Sequence, residues 1–305
     1  MTTYIMADGE SLFVRELGQG RPVLILSGLG MKSYHWLPYI LPYHRQFRFI
    51  IPEWRGFGRS QTCQIPGDLD AISSHWRDVT SLLAQLPTQD YTVMAYSMGA
   101  TVAMHGMHYA NFGQQINAYL HIDQSPKIVT DQHWSYGLFA QQHTLFKQRL
   151  AALADCLTRA TLHAKTLMQL QHPIKAQLLQ RWFELVQWQG NNRIAPFLFK
   201  LAQKRDQLQQ YLLPLQRLDY MAWYVNTYLE HNEDYREALC QLDCPTTFFI
   251  GQQSNLYPYQ GQLNIAQQLQ QAQSIIFEKS GHTPLLSEPL KFALELRKFL
   301  QTPAG

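Results

Sequence analysis

The chain has 305 residues, of which 46% are hydrophobic and 15% are charged, so it can form one large core with an insertion or two domains. Its formal net charge is +3 and its basic residues are scattered, which argues against a role on nucleic acid or on a membrane surface. The segment Met1 to Glu10 lacks the apolar stretch of a signal peptide, and no part of the chain approaches the roughly 20 apolar residues of a membrane helix. We therefore expect a cytoplasmic protein without a membrane span.

Cysteine and histidine spacing indicates no metal centre. The four cysteines are Cys63, Cys156, Cys240 and Cys244, and the last two have no partner pair at zinc spacing. His105 and His108 share a predicted helix face, but no carboxylate pair completes a site. We expect reduced structural thiols, no metal and no cofactor.

The first third of the chain predicts strands that end in glycine turns. Asp8-Gly9 marks a hairpin, and residues 22–27 are apolar on both faces, as in a central strand of a covered sheet. Gly28-Leu29-Gly30 follows that strand, and small residues there let backbone N–H groups face a ligand. An aromatic helix is predicted over 35–44. A buried strand over 47–52 then leads into the loop Glu53-Trp54-Arg55-Gly56-Phe57-Gly58-Arg59-Ser60.

The segment Tyr91-Thr92-Val93-Met94-Ala95-Tyr96-Ser97-Met98-Gly99-Ala100 is the most informative of the chain. It predicts a buried strand that ends at Ser97 and turns directly into a helix. Its centre is the G-x-S-x-G nucleophile elbow with Ala95 in place of the first glycine. Such a turn presents the serine hydroxyl and points the N–H of Met98 toward the same space. A serine that merely caps the helix is the alternative interpretation.

The remaining pattern defines the domain organisation. Strands alternate with helices up to residue 126, which predicts a doubly wound α/β sheet. Residues 127–238 show helical spacing without a convincing strand, and we predict a helical cap insertion there. The α/β pattern then resumes, so the core is assigned to residues 1–126 and 239–305. We interpret the abundant glutamines as solvated helix surface.

Together these motifs resemble the α/β-hydrolase superfamily. The resemblance rests on the glycine turn after an early strand, the P-x-W-R-G-x-G-x-S loop, the elbow serine and the late Gly281-His282 before a closing helix. It covers residues 11–126 and 245–302, and the segment between them takes the place of the family's variable cap. It implies an α/β-hydrolase fold, a mostly parallel sheet with an inserted helical cap.

The resemblance also assigns roles to residues. Ser97 corresponds to the nucleophile and His282 to the base, and the N–H groups of Leu29 and Met98 correspond to the oxyanion donors. The family's usual acid position falls in the loop Gly251-Gln252-Gln253-Ser254-Asn255-Leu256-Tyr257-Pro258, which contains no Asp or Glu. Some members place the acid after the strand that follows the elbow helix, where this chain has Asp123. We therefore assign Asp123, with a Ser–His dyad helped by Ser254 or Asn255 as the alternative.

Residues near the serine are candidates for substrate contact. His35 and Trp36 follow the oxyanion turn and Tyr96 precedes the serine, although each of them is also suited to packing. Aromatic residues of the insertion predict a largely apolar pocket for a small molecule; they are Trp134, Tyr136, Phe139, Trp182, Trp188, Trp223 and Tyr224. No feature of the sequence indicates an oligomeric state.

The first functional hypothesis is a serine hydrolase that cleaves a carboxylic ester, thioester or related acyl substrate through an acyl-enzyme. Serine at the elbow argues against epoxide hydrolases and haloalkane dehalogenases, which use Asp there. The second hypothesis is a cofactor-free dioxygenase of an N-heteroaromatic ring, which would use the pair His282 and Asp123. Those enzymes tend to carry a histidine beside the serine, where this chain has Tyr96 and Met98. The third is a non-catalytic binding protein on a hydrolase fold.

Overall fold

The computed structural model describes residues 2–87, 90–186 and 215–301 and contains one mixed β-sheet. Its strands are β1 (Thr2–Ile5), β2 (Ser11–Gly18), β3 (Arg21–Leu26), β4 (Phe47–Pro52), β5 (Tyr91–Tyr96), β6 (Ile116–Ile122), β7 (Thr246–Gly251) and β8 (Ala272–Phe277). They lie in the order β1-β2-β4-β3-β5-β6-β7-β8. The first hairpin and the β2–β4 pair are antiparallel, and every later pairing is parallel.

Helices flank the sheet and fill the insertion. They are α1 (Leu37–Ile40), α2 (Ala71–Leu83), α3 (Met98–Ala110), α4 (His143–Thr161), α5 (His172–Val186), α6 (Leu218–Glu230), α7 (Arg236–Cys240), α8 (Tyr259–Ala266), α9 (Pro284–Ser287) and α10 (Pro289–Gln301). Asp70 caps α2, because its carboxylate accepts hydrogen bonds from the N–H groups of Ile72 (2.8 Å) and Ser73 (3.2 Å). The fold class predicted from the sequence is confirmed.

The central strands are apolar on both faces because both faces are covered. On β3, Leu24 and Leu26 face the core under α2 and α3, whereas Val23 and Ile25 face the core under α10. This alternation follows from the two-residue period of a strand. Parallel strands whose connections pack on both sides bring their carboxyl ends to one edge, where loops can form a site.

The insertion forms a hydrophobic core of its own between α4, α5 and α6. Between residues 127 and 238, the part that the structure describes contains helices and isolated bridges but no strand. The domain boundaries drawn from the sequence remain a prediction, and Trp188 lies outside the described residues. None of the helices in the described ranges is long and apolar enough to cross a membrane.

The predicted aromatic helix over 35–44 is wrong in its detail. The chain forms a 3₁₀ turn over Ser33–Trp36, the single-turn α1 and a second 3₁₀ turn over Leu41–Tyr43. Pro38 and Pro42 explain the interruption, since proline has no N–H to donate and is tolerated only in the first turn of a helix.

Candidate active site

Ser97 occupies a sharp turn between β5 and α3. Its backbone has φ +51° and ψ −125°, a conformation that is strained for a residue with a side chain. The turn is held because the Ser97 N–H donates to Ile122 O (3.1 Å) and Ser97 O accepts from the N–H of Ala100 (2.8 Å). Gly99 is required at its position, since a Cβ there would lie 2.1 Å from Leu26 O. The elbow geometry expected from the sequence therefore forms.

Three side chains from distant parts of the chain meet at this edge of the sheet. His282 follows β8, and its Nε2 lies 2.8 Å from Ser97 Oγ. Its Nδ1 lies 2.7 Å from Oδ2 of Asp123, which directly follows β6 and is fully buried. In space, the hydrogen bonds run from Ser97 through His282 to Asp123. Along the chain, the order of the three residues is serine, acid, histidine.

Asp123 accepts further hydrogen bonds on both carboxylate oxygens. Oδ1 accepts from the N–H of Gly251 (2.9 Å) and from Nε2 of Gln262 (3.1 Å), and Oδ2 accepts from Oγ of Ser254 (2.8 Å). These donors suit a buried carboxylate, whose ionised oxygens only accept. Ser254 therefore contacts Asp123, and the side chain beside His282 Nδ1 is that of Asp123. Sequence reasoning missed Gln262, which is 1% exposed although it lies among glutamines interpreted as helix surface.

The two residues expected to supply the oxyanion donors are Leu29 and Met98. Leu29 lines the cavity above Ser97, and Met98 is the first residue of α3. In the described part of the chain, neither amide donates a hydrogen bond to another group. The turn that carries Leu29 is anchored at Ser27. Trp54 Nε1 donates to Ser27 O (2.7 Å), and Trp36 Nε1 donates to Ser27 Oγ (3.0 Å). An amide without a partner in the protein can donate to a ligand, so Leu29 and Met98 stay the predicted oxyanion donors.

The three residues considered for substrate contact lie in different places. His35 is exposed, lies outside the cavity, and accepts from the N–H of Lys32 through Nδ1 (3.1 Å). Trp36 is the last residue of a 3₁₀ turn and is fully buried, where its ring packs against Phe292 of α10 with 6.4 Å between centroids. Neither side chain reaches the pocket. Tyr96 does line it, and its hydroxyl donates to His282 O (3.0 Å).

Tyr96 therefore lines the cavity and also contacts His282. The two rings lie 5.4 Å apart between centroids. Burial raises the pKa of the Tyr96 hydroxyl, so it stays protonated and remains a donor. This contact fixes the backbone of the residue whose imidazole bridges Ser97 and Asp123.

A cavity of about 450 Å³ lies between this edge and the inserted helices. Its wall is largely apolar and aromatic: Phe57, Leu138, Phe139, Phe146, Leu150, Trp182, Leu185, Val186, Leu215, Met221, Tyr224, Val225, Tyr228, Leu256 and Tyr257. Of the aromatic residues considered from the sequence, Phe139, Trp182 and Tyr224 line it. Trp134, Tyr136 and Trp223 do not. This volume and an apolar lining are typical of small-molecule pockets in proteins.

Comparison with known proteins agrees with this geometry. The family model of the alpha/beta hydrolase fold matches residues 21–289. The chain is 24% identical over 295 residues to a pimeloyl-[acyl-carrier protein] methyl ester esterase of Vibrio campbellii, covering 95% of this chain and 98% of that relative. It is also 24% identical to the AB hydrolase superfamily protein YisY of Bacillus subtilis, covering 95% of each. Among solved structures, an esterase from Exiguobacterium antarcticum superposes with a TM-score of 0.71 at 17% identity, covering 99% of both chains.

Proposed function

The chain belongs to the α/β-hydrolase fold family, and we propose that it is a serine esterase that hydrolyses a carboxylic ester, thioester or related acyl compound through an acyl-enzyme. The observation that carries this proposal is the continuous series of hydrogen bonds from Ser97 Oγ through His282 to Asp123. Ester hydrolases among the related proteins support it, and the apolar cavity supports a largely apolar acyl group.

In the first half of the proposed reaction, Ser97 Oγ attacks the acyl carbon while His282 Nε2 takes its proton. Asp123 holds Nδ1–H and stabilises the imidazolium that forms. The carbonyl oxygen becomes an oxyanion, which the N–H groups of Leu29 and Met98 stabilise, each worth roughly 10²- to 10³-fold in rate. When the tetrahedral intermediate collapses, the bond to the alcohol or thiol breaks and the leaving group takes the proton from Nε2.

In the second half, a water molecule replaces the leaving group beside His282. Nε2 takes one proton from this water as its oxygen attacks the acyl carbon of the ester to Ser97. Collapse of the second intermediate returns the proton to Ser97 Oγ and releases the carboxylic acid. These steps use groups of the chain and water alone.

The proposal is tested with p-nitrophenyl esters and a fluorophosphonate probe. Ser97→Ala should lower kcat by at least about 10³-fold and abolish labelling, because no other group supplies the nucleophile. The matched control is Ser11→Ala, which changes an exposed serine on β2 and should retain both signals. Undiminished turnover by pure Ser97→Ala would contradict the proposal, and absence of labelling in the native protein would favour the binding-protein alternative.

The dioxygenase hypothesis uses the same His282–Asp123 hydrogen bond, so it makes a different prediction for the same variants. Oxygen uptake with a hydroxyquinolone would survive Ser97→Ala and be lost in His282→Ala. Ester hydrolysis would be lost in both variants.

A further inference from the structure

A second depression, about 690 Å³ in volume, opens beside the cavity that holds Ser97. It is lined by residues 135, 136 and 139–142, which lead into α4, and by residues 255, 258 and 260, where α8 begins. We call it the outer cleft. Phe139 lines both the outer cleft and the cavity, so its side chain is a wall that the two spaces share.

The outer cleft differs from the cavity in chemistry. Besides the phenol of Tyr136, its polar lining consists of one hydroxyl and four carboxamides, from Ser135, Gln141, Gln142, Asn255 and Gln260. Tyr136 is the one ionisable side chain among the described residues of the lining. Within the described ranges, none of the five polar side chains makes a hydrogen bond. A carboxamide both donates and accepts, as a ligand hydroxyl does.

Tyr136 packs against two neighbours in this cleft. Its ring packs on α8 at Gly261, where a Cβ would lie 2.3 Å from Tyr136 Cβ and 2.7 Å from Cγ. The ring also meets Trp134 edge-on, with 5.2 Å between centroids. Because Tyr136 also lines the outer cleft, its ring offers apolar contact to the C–H groups of a sugar whose hydroxyls the exposed carboxamides can bind.

The shared wall lies in a strained turn. Phe139 and Ala140 have φ values of +60° and +44°, an uncommon conformation for two consecutive residues with side chains. Hydrogen bonds hold this turn, because Phe139 N–H donates to Leu256 O (2.7 Å) and Ala140 N–H donates to Gly137 O (3.0 Å). The protein therefore maintains an energetically costly backbone at the boundary between its apolar and polar spaces.

We propose that the outer cleft is a subsite for an uncharged, hydroxyl-rich part of the substrate, such as a sugar or polyol, whose apolar acyl group occupies the cavity. This inference rests on the proposed esterase function. A charged group would find no counter-charge among the described lining residues, whereas hydroxyls match the carboxamides in both donors and acceptors. With the ester carbonyl at Ser97, the leaving group reaches the cleft past the ring of Phe139.

The test compares three octanoyl esters that share one acyl chain: methyl octanoate, a glucose mono-octanoate and octanoylcholine. The native enzyme should have its highest kcat/KM on the glucose ester. Gln141→Ala combined with Gln260→Ala should lower the ratio of kcat/KM for the glucose ester to that for the methyl ester roughly tenfold or more, since two side chains that bind sugar hydroxyls are removed together. Gln132→Ala, an exposed glutamine outside the cleft, should leave this ratio unchanged.

Phe139→Ala provides a second variant with the opposite sign. Removing the wall should raise the glucose-to-methyl ratio, and general damage to the protein would not shift the two sets of variants in opposite directions. Hydrolysis of methyl octanoate without preference for the glucose ester, or with preference for octanoylcholine, would overturn the inference and leave the esterase proposal intact. Failure to hydrolyse any of the three while p-nitrophenyl esters are turned over would also overturn the inference alone, whereas failure on p-nitrophenyl esters as well would overturn the esterase proposal and the inference with it.

Discussion

The sheet edge that carries Ser97 and the inserted helices that cover it are stabilised in different ways. At the sheet edge, Asp123 accepts hydrogen bonds from four groups on β7, α8 and the loops after β7 and β8. In the insertion, α4, α5 and α6 pack mainly through aliphatic and aromatic side chains. Hydrogen bonds are directional and fix individual atoms, whereas apolar packing fixes volume and shape. The reacting atoms are thus positioned by the core, and the shape of the cavity is set by the insertion.

The largest expected effect on activity comes from removing the carboxylate of Asp123. Asp123→Asn should lower kcat about 10⁴-fold, because a carboxamide cannot hold the His282 tautomer that the reaction needs. Asp155→Asn, which removes an exposed carboxylate from α4 of the insertion, is the matched control and should retain activity. Full activity of Asp123→Asn in an ester assay would disprove the assignment of the acid.

A second substitution can sharpen this result. Ser254 Oγ lies 2.8 Å from Asp123 Oδ2, the same oxygen that contacts His282 Nδ1. Ser254→Asp in the Asp123→Asn background should therefore restore part of the lost kcat. If it restores none while the double variant retains the native Tm, the neighbourhood of His282 accepts a carboxylate only from the end of β6.

The contact between α2 of the core and α6 of the insertion should make the protein less stable at acidic pH. His75 on α2 is fully buried, and its Nε2 lies 2.7 Å from the hydroxyl of Tyr224 on α6. That hydroxyl donates to Arg55 O, which assigns the imidazole proton to Nε2 and leaves Nδ1 without a partner among the described residues. Burial, and secondarily the Arg55 guanidinium, lowers the pKa of His75 from 6.5 to about 3.

Because the folded-state pKa is depressed, the unfolded chain binds the proton first as the pH falls. The contribution of His75 is complete above pH 6.5 and is lost progressively toward pH 3. At pH 5 the loss is about 2 kcal/mol, or a Tm several degrees lower than at pH 7. His75→Gln should reduce this pH dependence, and His163→Gln, at an exposed position, should not. Identical Tm profiles for the native protein and His75→Gln would contradict the prediction.

A smaller effect is expected when the apolar wall is changed. Leu150 on α4 is 5% exposed and lines the cavity, so Leu150→Trp should fill part of it. We expect kcat/KM to fall about tenfold for p-nitrophenyl decanoate and to change little for the acetate, because the shorter acyl group needs less space. Leu145→Trp on the same helix is the control, since Leu145 is 45% exposed and lies outside the cavity. Equal losses of kcat/KM on both esters would show that the substitution impairs the catalytic residues themselves and does not act by reducing the space for the acyl chain.

The smallest effect should follow Tyr96→Phe. This substitution keeps the ring beside His282 and removes the hydrogen bond to His282 O, so kcat should fall only a few-fold, in line with about 1 kcal/mol for one hydrogen bond. Measurements of kcat and KM on the same ester check this, and an unchanged KM is expected. A loss as large as that of Asp123→Asn would mean that the hydroxyl has a direct part in the reaction.

The sequence predicts the core better than the walls of the site. Alternating strands and helices identify the sheet, and the motifs around Ser97 and His282 mark two strand ends that the parallel topology must bring to one edge. The contact of Gln262 with Asp123 could not be foreseen, because it depends on which face of α8 turns inward. The buried position of Trp36 likewise depends on a 3₁₀ turn that residue types do not specify.

The cavity wall was partly visible in the sequence. Met221, Tyr224, Val225 and Tyr228 line it from α6, and their spacing of three, four and seven residues marks one helix face. The spacing alone does not say whether that face packs against other helices or borders an open space. That distinction arises only from the tertiary arrangement of the insertion over the sheet.

The location of Asp123 also matters to anyone who wishes to exchange the insertion for another. The chain leaves the core only three residues later, through a segment anchored by hydrogen bonds from Gln124 Nε2 to Thr101 Oγ1 (2.6 Å) and from Tyr235 N–H to Pro126 O (3.0 Å). Grafting junctions placed after Pro126 and before Tyr235 would keep these anchors with the acid. A junction closer to β6 would transfer the new cavity lining but remove the hydrogen bonds that anchor the segment after Asp123.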